Sequence, residues 1–139
     1  MAKYQDLVSD LTLVADVDLT AGQYLFVTVA STAGRVKLGT GASNPYPLGV
    51  LQNSPSAGEG ARIRWLGVTQ LLAGANSTCP IANGRFLSAS GAKGTATASE
   101  TGDVALGRWL DATIAVSTSN YGMAFVNCVG FGASPVSAS

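Results

Sequence analysis

The stretch that decides the fold is Leu48 to Val68, "LGVLQNSPSAGEGARIRWLGV". It begins and ends on Leu-Gly-Val. Between the two copies lie a bend rich in Pro and Gly and a run, "RIRW", that alternates basic and apolar residues. Alternation with a period of two is the signature of a half-buried strand. Gly58 and Gly60 suit the turn, and Glu59 keeps its tip in water. Gly49 and Gly67 remove side chains where a second backbone comes close or a strand must bend. The stretch therefore reads as two strands around a bend, with no chemical reagent in it.

The same reading extends outward. "QYLFVTV" (residues 23–29) is a continuous run of β-formers and is expected to be buried on both faces. "RVKL" points Arg35 and Lys37 outward and Val36 and Leu38 inward, and Gly34 before it marks a hairpin that wants positive φ. "RFLSAS", "TATAS", "VALGRWLDA", "TIAVS" and "MAFVNCVGF" follow as further short strands. Pro45, Pro47, Pro55, Pro80 and Pro135 all fall in turns or in the tail. Short strands at intervals of about ten residues indicate an all-β fold, a small β-sandwich or barrel. The expected core is Leu25, Val27, Val36, Val50, Ile63, Trp65, Val104, Leu106, Trp109, Phe125 and Cys128.

The order of elements recurs. A hairpin, a "LG" strand, a bend and a return strand occur once before residue 70 and once after. Leu48-Gly49 matches Leu106-Gly107, Gly34 matches Gly94, and Gly60 matches Gly122, at an offset of about 60 residues. This predicts a pseudo-duplicated fold whose halves pack together.

The chain has 139 residues, which suits one domain. We divide it into an N-terminal arm (1–18), a β domain (19–131) and a C-terminal tail (132–139). Gly, Ala, Ser and Thr make up nearly half of it, and charged residues only 12%. The formal net charge is zero. A surface so poor in charge is weakly protected against association, so copies of itself or a larger lattice are expected to cover it. Residues 1–20 hold Asp6, Asp10, Asp16 and Asp18 against Lys3, and the rest is mildly basic. In the arm, Tyr4, Leu7, Val8 and Leu11 share a helical face over "YQDLVSDL"; the competing reading is an extended strand. The arm is expected to lie extended on a neighbouring subunit rather than fold back on its own domain. Its anchors are Tyr4, Leu7, Val8, Leu11 and Leu13.

The chain contains no histidine, so Ser-His and Cys-His nucleophiles and His-bound metals are excluded. Cys79 and Cys128 cannot alone make a zinc site and read as free thiols. Asp16 and Asp18, and Glu100 and Asp103, sit in turn-forming contexts and read as loop carboxylates. "SGAKGT" lacks the order of a phosphate loop and suffices as a hairpin tip. Arg62 and Arg64 share one face of a strand and are candidate interface residues on a strand edge. They are too few for a nucleic-acid stripe. No segment reads as a secretory signal or a membrane span. We therefore expect no catalysis, no cofactor, no metal, no nucleic acid and no membrane partner.

The series "LTAGQYLFV…GRVKL…PLGVLQNSPSAGEGARIRWLGV" followed by "NGRFLSAS…GTATASE…ALGRWLDA" resembles the small capsid-decoration, or cement, proteins of tailed bacteriophages. A strand after "TAG" leads to a "GV" strand, an "AGE" turn and a strand ending "GV", and a second hairpin and return strand follow. Residues 19–130 fit that order. The segment "NGRFL" departs from it by lacking an acidic residue. The resemblance implies a protein made in the host cytoplasm and carried on the outer capsid surface of the virion. It implies binding to the major capsid protein, self-association as a homotrimer, and no catalytic residues. The competing reading is a carbohydrate- or receptor-binding β module of a head fibre or tail. That reading would require exposed Trp or Tyr platforms.

Overall fold

The computed structural model describes residues 8–39, 47–74, 77, 79–89, 95–99, 105–116 and 118–128. Among the described residues there is no helix, and nine strands form one mixed sheet. In chain order they are β1 (Ser9–Ala15), β2 (Phe26–Val29), β3 (Arg35–Leu38), β4 (Gly49–Leu51), β5 (Gly60–Ala73), β6 (Phe86–Ala89), β7 (Ala96–Ala98), β8 (Gly107–Trp109) and β9 (Asn120–Asn127).

The sheet runs β1-β3-β2-β4-β5-β7-β6-β8-β9, and two further pairings, β1–β5 and β5–β9, close it on itself twice. One circuit is β1, β3, β2, β4 and the first half of β5. The other is the second half of β5, then β7, β6, β8 and β9. The 14-residue β5 belongs to both: Gly60 to Leu66 pair with β1, and Leu66 to Ala73 with β9. Closure leaves few unpaired backbone edges, which is how barrels avoid edge-to-edge aggregation.

The predicted duplication is present in the hydrogen bonds, but the register equates Gly122 with Ala61 and not with Gly60, and Gly94 lies outside the described residues. Tyr24 N–H donates to the Leu51 carbonyl as Gly84 N–H does to that of Trp109, both at 2.7 Å. Leu48 N–H donates to Val27 as Leu106 N–H does to Leu87, again at 2.7 Å. Parallel β1–β3 corresponds to parallel β5–β7, so the second half of β5 plays in its circuit the part of β1 in the first. The equivalence accounts for Tyr24, whose φ of 67° is otherwise unfavourable for a residue with a Cβ. It occupies the turn that Gly84 makes at φ 84°. This turn also delays β2, which starts at Phe26 and not at Gln23. "TIAVS" contributes only a bridge, Ile81 to Ile114.

Gly49 and Gly107 are matched for a steric reason. A Cβ on Gly49 would lie 2.6 Å from the Arg64 carbonyl oxygen, and one on Gly107 would overlap that of Phe125. Each marks the place where its strand crosses the next too closely for any side chain.

Each circuit encloses a core. Val27, Val36, Leu51, Ala61 and Ile63 fill the first, with Ala15 and Leu19. Leu71, Leu87, Trp109, Ala124 and Val126 are central to the second. Phe26 and Val50 join the second core although they lie on β2 and β4. Alternation explains this: Val27 and Leu51 point into the first circuit, and their neighbours point out of it against the other. The burial expected for Leu25, Val27, Val36, Val50, Ile63, Leu106, Trp109 and Cys128 is observed. Trp65 and Phe125 are half-buried, and Val104 lies outside the described residues.

The arm is corrected. Ser9 to Ala15 do not leave the domain; they are β1, antiparallel to β5 and parallel to β3 of the same chain. Leu11 and Leu13 pack on the first core. Period-two alternation with Asp10 and Thr12 matches the gap between β3 and β5. Filling that gap within the chain avoids the entropy cost of recruiting a second molecule. Tyr4 and Leu7 lie outside the described residues, as does the tail 132–139.

Candidate interaction surface

Arg62 and Arg64 are not on a free edge. They sit on β5 between β1 and β4, which pair with it on either side. Both meet Asp10 of β1. The Arg64 Nε donates to Oδ1 at 2.8 Å and a second guanidinium nitrogen to Oδ2 at 3.2 Å. The Arg62 Nε lies 3.3 Å from Oδ2. Arg64 also donates to the Val68 carbonyl at 2.8 Å. Its side chain is 17% exposed, that of Arg62 55%. The forked pair with Arg64 is ordered and specific. The Arg62 contact is a solvent-screened surface pair of little energetic weight. The sequence suggested both arginines as contacts with a neighbour, and the structure has Arg64 fasten β1 to its own sheet, with Arg62 beside it at the surface.

Val8, the one remaining described anchor, lines a hollow of about 450 Å³ where the two circuits join. Tyr24, Gln52, Arg64, Val68, Thr69, Gln70 and Met123 complete its wall. Gln52 is engaged internally: its amide donates to Val50 O and to Thr69 Oγ1 at 3.1 and 2.8 Å. Tyr24 stands edge-on to Tyr121, with ring centroids 6.2 Å apart and planes at 78°. Trp109, 1% exposed and donating its Nε1–H to the Ala112 carbonyl at 2.8 Å, is a core residue and not a platform.

The largest exposed apolar groups gather beyond that hollow, on the outward face of the second circuit. Val68, Gln70 and Leu72 of β5 stand opposite Phe125, Met123 and Tyr121 of β9. Arg108 of β8 stands opposite Phe125 on one side and Phe86 on the other. Its guanidinium lies 4.8 Å from the Phe86 ring centroid. Phe86 and Tyr121 are more than half exposed, and Leu110 and Met123 nearly so. Sequence reasoning missed this face because it counted Phe125 as core and left Tyr121 and Phe86 unassigned. The clue was present: in "NYGMAFVN" the aromatic and long residues alternate with the small ones.

Two titrations are shifted. The Asp18 carboxylate lies below its usual range because Thr20 donates to it through its backbone N–H, at 3.0 Å, and its hydroxyl. This is a turn-forming role, as its context suggested. Burial pushes the Cys128 thiol up to about 12. Cys79 and Cys128 are both free, and no three His, Cys, Asp or Glu side chains gather among the described residues.

No family model matches the chain, and no curated protein matches it. Its fold is similar to that of a solved structure, the N base of the head fibre gp8.5 of bacteriophage phi29. The TM-score is 0.56 at 13% identity, over 86% of this chain and 94% of that one. At that identity the likeness is one of fold.

Proposed function

We propose that this chain is a structural protein of a phage virion, seated on the outer surface of the head. There it binds major capsid protein subunits, as a homotrimer, and stabilises the shell. The observation that carries the reading is the shared fold with a head-fibre base over nearly the whole of both chains. The chemistry agrees: Gln52, at the joint of the circuits, is satisfied within the chain, and the outward face of the second circuit is mainly apolar and aromatic.

The same neighbour favours a second form of this reading, in which the domain is the seat of a head fibre. The two differ in what the capsid gains. A decoration protein raises the resistance of the shell to heat and chelators; a fibre seat need not. Purified protein added to heads that lack it should sediment with them and appear as added density on the outer surface. Binding with unchanged heat resistance selects the fibre seat. Failure to bind such heads refutes both forms.

A further inference from the structure

The duplication supplies an internal control. In the first circuit, the outward positions where the closing strand meets its partner are Arg62 and Arg64, opposite Thr12 and Asp10. In the second, the equivalent positions are Met123 and Phe125, opposite Gln70 and Val68. The backbone arrangement is the same. One face carries an ion-pair network suited to water, and the other carries Met, Phe, Val and, one step along, Tyr121 opposite Leu72. A second pair of equivalents agrees. Phe26 and Phe86 each accept a backbone hydrogen bond at 2.9 Å, from Gly39 and Ser99. Phe26 is fully buried because the second circuit covers it, whereas Phe86 is 52% exposed. The fold does not require an apolar outward face, because its first half does without one.

We infer that this face, built from Phe86, Leu110, Tyr121, Met123 and Phe125, is the contact surface for a second copy of this chain. The margin of the face identifies the occupant. Arg108 lies beside Phe125, and Asp111 lies beside Met123, whose backbone N–H donates to its Oδ2 at 3.3 Å. Both residues are exposed, and the ion pairs among the described residues are those of Arg62 and Arg64 with Asp10. A rim that carries one cation and one anion around an apolar centre is complementary to the same rim on a copy related by a three-fold axis, so that Arg108 of one protomer faces Asp111 of the next. A partner of a single charge sign would satisfy one and repel the other. The zero net charge of the chain lets copies approach without long-range repulsion. The make-up of the face, aromatic residues and Met with an Arg at the rim, is that of protein interfaces and not of ordinary surface. This deepens the self-association in the reading above. It is tested with no phage head present, so its failure leaves the head-surface reading standing.

The test is sedimentation velocity of the full chain over a range of concentrations, with thermal melting as a check on folding. The wild type sediments as an oligomer. Arg108→Asp and Asp111→Arg each weaken assembly by about tenfold or more, and the double charge swap restores it. Met123→Glu, at an exposed position that folding tolerates, yields a monomer that melts as a folded protein. Thr12→Glu, on the corresponding face of the first circuit, leaves assembly unchanged. A wild type that stays monomeric overturns the inference. So does an oligomer indifferent to Met123→Glu, or a double swap that fails to recover what the single swaps lose.

Discussion

Trp109 and Gly122 offer the sharpest test of the packing described above. Trp109 is the largest fully buried side chain of the domain. Its Cζ2 and Cη2 atoms lie 2.5 Å from where a Cβ on Gly122 would stand, so the ring rests directly on the β9 backbone. Trp109→Ala empties that space and should cost about 3–5 kcal/mol. At about 4 °C per kcal/mol for a chain of this length, Tm falls by about 12–20 °C. Gly122→Ala inserts a methyl into the ring and should cost about 1–3 kcal/mol. Trp109→Phe removes the outer ring atoms that the methyl strikes. It also frees the Ala112 carbonyl, which water can reach, at a cost of about 1 kcal/mol on top of the cavity. The double variant Trp109→Phe/Gly122→Ala should therefore be more stable than the sum of its parts by about 1–2 kcal/mol. Urea unfolding followed by far-ultraviolet circular dichroism measures all four corners of this cycle. Additivity within about 0.5 kcal/mol would show that ring and backbone do not touch as described. An unchanged midpoint for Trp109→Ala would make Trp109 a surface platform and revive the sugar-binding reading.

Deleting residues 2–14 removes nearly all of β1, opens the first circuit and strips Asp10 from Arg64. The truncated chain should lose its cooperative thermal transition, and a transition within a few degrees of wild type would refute the account of β1. Gly49→Val and Gly107→Val should each destabilise strongly, because a carbonyl oxygen of the neighbouring strand occupies the space; expression as soluble, normally melting protein would contradict the crossing geometry. In the native state a thiol reagent should modify half-exposed Cys79 well before buried Cys128, as mass spectrometry of the labelled sites can show. Because the folded Cys128 pKa is raised above its ordinary 9.0, its contribution is intact below about pH 9. It is lost as pH rises towards about 12, so stability should decline across that alkaline window and Cys128→Ser should flatten the decline.

What could be read from the sequence was whatever depended on alternation and on glycine. Val27, Val36, Val50 and Ile63 sit at inward positions of short alternating runs, and their burial was legible for that reason. So was the duplication, because Leu48-Gly49 and Leu106-Gly107 meet the same steric demand. β1 was rightly read as extended but was assigned to a neighbouring subunit, because nothing local in Leu11 and Leu13 says that the gap they fill lies between β3 and β5 of the same chain. Arg62 and Arg64 were misread for a related reason. No local signal says that Asp10, more than fifty residues earlier in the chain, lies across the sheet from them. The apolar face of β9 depends on which strand ends the structure, and that is a property of the topology.

The shared strand explains both the form of the repeat and its exposed end. Two complete five-stranded units would need ten strands, yet nine suffice because β5 returns in the first circuit and opens the second. This is why the sequence shows two hairpin-and-return series but no second copy of β1. The halves cannot act as separate domains. Phe26 and Val50 belong to the second core, and the Tyr24 carbonyl accepts from Leu72 N–H on the far half of β5. Gly67, at φ 125°, lies where β5 passes from one circuit to the other, in a backbone conformation that side chains resist. The same logic runs out at β9. A third unit would cover the outward face of the second circuit as the second covers Phe26, but among the described residues the sheet ends with β9. Phe86, Tyr121 and Met123 are exposed on that face, the surface we infer above to be covered by a second copy of this chain.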